Sequence, residues 1–120
     1  MEIDIIEYIE SCVPSLKDNL YPLFTVEADK TTGVFSFKPL SGGHIKETQL
    51  EFKIIGLDYD EVKIIEKQII DILDIEEDEA SITYGSTYFR SSLSGGGILF
   101  RDDLQMYEDT LYFIIRWRCI

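Results

Sequence analysis

The chain has 120 residues, 45% of them apolar and 28% charged, and its 11 Lys and Arg stand against 23 Asp and Glu for a net charge of −12. That length suits one domain, residues 1–120, able to build a core without disulfides or metal. The acidity argues against nucleic acid and anionic membranes, which are bound through basic surfaces. No apolar run approaches the roughly 20 residues of a membrane helix. The acidic start MEIDIIEYIE lacks the basic segment of a secretory signal.

Ile5, Ile9, Cys12 and Leu16 recur at helical spacing, with Ile6 and Val13 widening the stripe. Glu2 and Asp4 fall in the first turn, where the helix dipole favours acids, and Pro14 should end the helix. Residues 17–32 read as a loop with a short strand at Phe24–Glu27. Val34–Lys38 alternates like a strand until Pro39 stops it, and Leu40–His44 is turn chemistry. Thr48–Leu57 is the next strand, with Leu50, Phe52 and Ile54 on one face and Glu51 and Lys53 on the other. Asp58 reads as an N-cap, with Glu61 three residues on. Val62, Ile65, Ile69, Ile72 and Leu73 then form the clearest helical stripe in the chain, with Lys63, Glu66, Lys67 and Asp71 outside it.

Ile82–Arg90, rich in Thr and Tyr, is a third strand. Ser91–Gln105 reads as a long loop hinged on Ser94-Gly95-Gly96-Gly97, and Thr110–Cys119 is the last and strongest strand. The predicted fold class is therefore α+β: a four-stranded, mostly antiparallel sheet with two helices packed on one face, in the order α-β-β-α-β-β.

Two helices cover one face of such a sheet. The other would carry Tyr112, Ile114, Arg116 and Arg118, joined by Lys53, Ile55, Leu57 and Tyr84 or Phe89, a mixture typical of interfaces. The charge is uneven along the chain. Residues 1–80 hold all seven Lys and 19 acids, whereas residues 81–120 hold all four Arg and four acids. An acidic body with a neutral, Arg-bearing end points to a surface that meets a partner.

The catalytic inventory is poor. The one histidine, His44, sits in a Gly-rich loop, and no nucleophile motif or Cys/His metal spacing is present. Neither glycine run has phosphate-loop spacing. Helix capping accounts for Asp58–Glu61, and Glu76–Glu79 reads as a solvated turn or a patch for a cationic partner. Cys12 and Cys119 read as free, buried thiols of a reducing compartment. The expectation is a protein that is not an enzyme, with no cofactor and no metal.

The leading helix Ile3–Val13, the strand QLEFKIIG (Gln49–Gly56) running into Asp58–Leu73, and the closing segment Tyr107–Arg118 together resemble the small tail-terminator, or tail-completion, proteins of long-tailed bacteriophages, often labelled minor capsid proteins. That resemblance covers most of the chain and is one of layout, not of a sharp motif. It implies an α+β subunit of a homo-oligomeric ring, commonly a hexamer, that caps the tail tube and meets the head connector. The ring would assemble in the bacterial cytoplasm and end in the virion. The partners so implied are other copies of the chain, the tail tube protein and the head connector protein. Within this picture Tyr112, Ile114, Arg116 and Arg118 are the candidate subunit contact, balanced by acids such as Glu76 and Glu77. Leu93, Gly95, Gly96, Gly97, Ile98, Leu99, Phe100, Arg101, Asp102 and Asp103 form the candidate docking loop. The alternative is a small acidic inhibitor or immunity-type protein that captures a basic partner through Asp58–Glu79, steered by charge.

Overall fold

The computed structural model describes residues 1–16, 20–22, 31–75, 80–103 and 105–119. Its elements in chain order are α1 (Glu2–Cys12), a 3₁₀ turn (Pro14–Leu16), β1 (Leu20–Pro22), β2 (Thr32–Ser41), β3 (Lys46–Gly56), α2 (Tyr59–Leu73), β4 (Ile82–Tyr84), β5 (Thr87–Arg101) and β6 (Met106–Cys119). One sheet of six strands results, in the order β1-β2-β3-β6-β5-β4. Strands β2 to β6 pair antiparallel, and the three-residue β1 lies parallel to β2.

The four-stranded sheet expected from the sequence is therefore wrong, for three local reasons. The short β1 adds an edge to β2. The run Ile82–Arg90 is not one strand, because it folds back at Gly85-Ser86, with Tyr84 opposite Thr87 and Gly85 at φ 59°. Glycine with positive φ at the first central position is the requirement of a II′ hairpin. The supposed loop 91–105 is mostly the outer half of β5, paired with β6 as far as Arg101 opposite Met106. The strand suggested at Phe24–Glu27 lies outside the described residues.

Alternation sets the core. Leu50 and Phe52 of β3 stand opposite Phe113 and Leu111 of β6, and all four point to the same side. Ile5 and Ile9 of α1 and Val62, Ile65, Ile69 and Leu73 of α2 close over them, with Val13, Leu16, Ile54, Phe89 and Ile115. Asp58 caps α2 by accepting from the Asp60 amide at 3.0 Å. Asp4 ties α1 to the β4–β5 turn, accepting from the Thr87 hydroxyl at 2.7 Å and from the Ser86 amide at 3.2 Å. Those donors hold its carboxyl below the usual carboxylate range. Both cysteines are exposed, contrary to the sequence reading. Val13, not Cys12, enters the core at the end of α1, and Cys119 sits on the last residue of β6.

The strands outrun their cover. A 14-residue strand spans about 46 Å and a 15-residue helix about 22 Å, and the molecule measures 43 × 24 × 23 Å. Inward-facing positions near the sheet ends thus stay partly uncovered, among them Phe100, 47% exposed. Past a bulge at Ser94, between Leu93 and Gly95, Gly96 lies so close to β6 that a Cβ there would meet the Thr110 carbonyl and Leu111, whereas Gly95 and Gly97 face open space. Gly96→Ala is therefore expected to destabilise the fold by about 1–3 kcal/mol. Gly95→Ala and Gly97→Ala are expected to leave it unchanged or stabilise it by about 0.4–1 kcal/mol through the unfolded chain. Urea unfolding midpoints of the three variants check the contrast.

Candidate functional site

The face of the sheet away from the helices is built from regular rows across the strands. One row is Lys38, Gln49, Ile114 and Ser92; the next is Ser36, Glu51, Tyr112 and Gly95; a third brings Glu47, Arg116 and Arg90 together. Tyr112 and Ile114 are half-buried at the centre, and Arg116 and Arg118 are exposed. Arg116 donates to Glu47 at 2.9 Å, and the Arg118 guanidinium stacks 4.8 Å from the Tyr88 ring. These two arginines therefore have partners within the chain. Glu76 and Glu77, the acids set against them in the sequence reading, lie outside the described residues. Phe89, offered for this face, is fully buried on the helix side, and Ile55 joins Val34 and Met106 in a separate small core.

At the Met106 end the face becomes an ion-pair network. Glu108, nearly buried, accepts from Arg101 at 2.6 Å and pairs with Lys53 at 3.4 Å, and Lys53 also reaches Glu51. Arg101 holds Asp103 with two parallel hydrogen bonds of 3.0 and 2.7 Å. The three residues Arg101, Asp102 and Asp103, read from sequence as docking groups, thus lie where β5 turns into β6. Two of them build the turn, and Gln105 closes it in the left-handed region with a bond to the Asp102 carbonyl. The rest of the predicted docking loop, Leu93 and Gly95–Phe100, is strand, with Leu93, Leu99 and Phe100 exposed.

Several hollows open on the helix side, two of them toward opposite ends of the sheet. The larger, of about 460 Å³, is lined by Met1, Phe37, Pro39, Leu40, Lys46 and Trp117. Trp117 donates to the Thr48 hydroxyl at 3.0 Å beneath the Lys46 ammonium. The other, of about 320 Å³, lies between α2 and the glycines of β5 and holds a carboxyl pair missed by the sequence analysis. Asp109 is 1% exposed, and its Oδ2 receives no hydrogen bond from any described N–H or hydroxyl donor. Burial and the facing Glu66 carboxylate raise the Asp109 pKa to about 8. In its protonated form it donates to Glu66, which is held low by that bond and by Lys63 at 2.9 Å. The signal was present in the sequence: Asp109 shares the inward parity of Leu111, Phe113 and Ile115. Glu66, placed outside the helical stripe from sequence, is half-buried instead.

Among the described residues no three His, Cys, Asp or Glu side chains stand together as a metal site. His44 is exposed at the tip of the β2–β3 hairpin. Among the described residues no helix is long and apolar enough to cross a membrane. No protein-family model and no curated protein matches the sequence.

Folded Asp109 keeps a proton that unfolded Asp109 gives up near pH 4, so stability falls as pH rises through the interval from about 4 to about 8. Asp109→Asn mimics the protonated carboxyl and keeps a donor for Glu66. Relative to the native chain it is expected to gain about 1–3 kcal/mol at pH 8 and little near pH 4. Thermal unfolding of both proteins across that range checks this; parallel curves would show that Asp109 does not carry the slope.

Proposed function

We propose that the chain is a structural assembly subunit, resembling a phage tail terminator, which forms a homo-oligomeric ring and docks a tail tube protein and a head connector protein. The observation that carries this reading is where charge is missing. In a chain of net charge −12, residues 80–101 contain no acid at all. That span includes the exposed, apolar outer half of β5. A like-charged copy, or a neighbouring protein, meets least repulsion there. Gln49, Ile114 and Ser92, the uncharged part of the row that Lys38 ends on β2, give the open face a second such strip, flanked by Tyr112. In this reading the strip around Ile114 meets the next subunit, and the β5–β6 hairpin meets the tube. A head-to-tail contact of this kind closes into a ring when its rotation divides the circle.

Native mass spectrometry and sedimentation are expected to find a closed oligomer, commonly a hexamer. Ile114→Asp on the half-exposed strip is expected to reduce it to smaller species with unchanged circular dichroism. An oligomer that ignores Ile114→Asp and Tyr112→Asp would overturn the ring contact. A monomer that captures basic proteins with steep salt dependence would favour the acidic-inhibitor alternative.

A further inference from the structure

We propose that β5 is a self-complementary edge: two copies of the chain pair antiparallel along Gly95–Arg101 about a two-fold axis at Ile98. This goes beyond the ring reading and requires only the sequence of β5 and its open side.

β4 covers β5 only from Thr87 to Phe89. The end of α2 satisfies the next stretch: Ile75 donates to the Ser91 carbonyl at 3.0 Å, and the Leu93 amide donates to the Asp74 carboxylate at 3.1 Å. From Gly95 to Arg101 no described strand lies on the outer side, so alternate amides and carbonyls point outward with no strand partner among the described residues. Natural sheets protect such edges with Lys, Pro or short length. The opposite free edge obeys that rule: β2 beyond its β1-paired residues carries Lys38 and Pro39. β5 carries neither Lys nor Pro from Thr87 to Arg101, and its terminal Arg101 is already neutralised by Asp103 and Glu108.

The register follows from geometry. Outward-pointing groups alternate along a regular strand, so antiparallel pairing with an identical strand must be centred on a residue rather than between two. Centring on Gly97 would draw in Leu93 and the bulge at Ser94, where the Leu93 amide is already bonded. Centring on Ile98 uses only the regular stretch. Gly97 then faces Leu99 of the second copy, Gly96 faces its Phe100, Gly95 faces its Arg101, and Ile98 meets Ile98. Apart from the central Ile98 pair, each large side chain arrives opposite a glycine, the arrangement in which a cross-strand neighbour covers bare backbone. Gly96 and Phe100 both face the helix side, where the hollow of about 320 Å³ opens beside Gly96, Ile70 and Leu111. The Phe100 of the second copy, 47% exposed in the single chain, comes to the mouth of that hollow. Leu99, 52% exposed, covers Gly97 on the other face. No acid lies within the paired segment, which lessens the local repulsion between two chains of −12. An isologous contact of this kind is complete with two copies.

Sedimentation velocity over a concentration series tests the pairing. The native chain is expected to show reversible association that Leu99→Lys, at an exposed position, weakens at least about tenfold without altering circular dichroism. In a Cys12→Ser, Cys119→Ser background, Ile98→Cys is expected to give a reducible covalent dimer, because residues opposed across a two-fold lie within disulfide reach. Thr83→Cys on β4 is expected to give none. Should Ile98→Cys fail to fold, Gly97→Cys with Leu99→Cys in a mixed sample probes the same register. A monomer at every concentration, or association that ignores Leu99→Lys, would overturn the proposal. An oligomer that survives Leu99→Lys and falls apart with Ile114→Asp would overturn this edge and leave the ring reading standing. A dimer with the opposite sensitivities would do the reverse.

Discussion

The fold hangs on the antiparallel pairing of β3 with β6 at the centre of the sheet. Leu50 opposite Phe113 and Phe52 opposite Leu111 set which side of every other strand is inside. A slip by one residue would turn the whole apolar set outward, so burial specifies the register strongly. Each such side chain contributes about 1.5–3 kcal/mol on leaving water. Both helices spend their apolar stripes on this one surface, which leaves Tyr112, Ile114 and their polar neighbours on the far side.

A mismatch of pitch follows from the same arrangement. Strand residues advance about twice as far as helix residues, so long hairpins packed under short helices have ends without a lid. The two hollows, the half-exposed Trp117 and the exposed Phe100 all lie at those ends. The imbalance that matters here is thus less between the two faces than between the middle of the sheet and its extremities. The far face carries ion pairs on either side of Tyr112 and Ile114, whereas the outer half of β5 has no charge between Arg90 and Arg101.

What was legible in the sequence was whatever repeats with a period. The stripe Val62–Leu73 marked α2, Asp58 marked its start, and Leu111, Phe113 and Ile115 marked the inner face of β6. Pro14 ended α1 as its chemistry requires. The outer half of β5 was not legible because Ser94-Gly95-Gly96-Gly97 has no alternation and carries the residues of turns. It is a strand because β6 is long enough to pair with it residue by residue, a tertiary cause that no local window contains. Gly96, which looks like a hinge, is a contact: it admits the close passage of β6. Gly85 was a missed signal of the opposite kind, a hairpin glycine inside a run of Thr and Tyr. For the candidate surfaces, the sequence marked Tyr112 and Ile114 by parity. It had no means of showing that Arg116 is matched to Glu47, 69 residues away, or that Arg101 is matched to Glu108 across the β5–β6 turn.

The strand order has a consequence for how the molecule is made. β6 is the last of the six strands in chain order, yet it lies between β3 and β5. While a ribosome is still producing the chain, Leu50, Phe52 and Phe89 wait without their cross-strand partners, because Leu111, Phe113 and Trp117 emerge after them. The two parts of the sheet, β1-β2-β3 and β5-β4, are therefore joined only once β6 has left the exit tunnel. Native structure is then acquired as one late event across distant parts of the chain, the kind of topology that folds slowly.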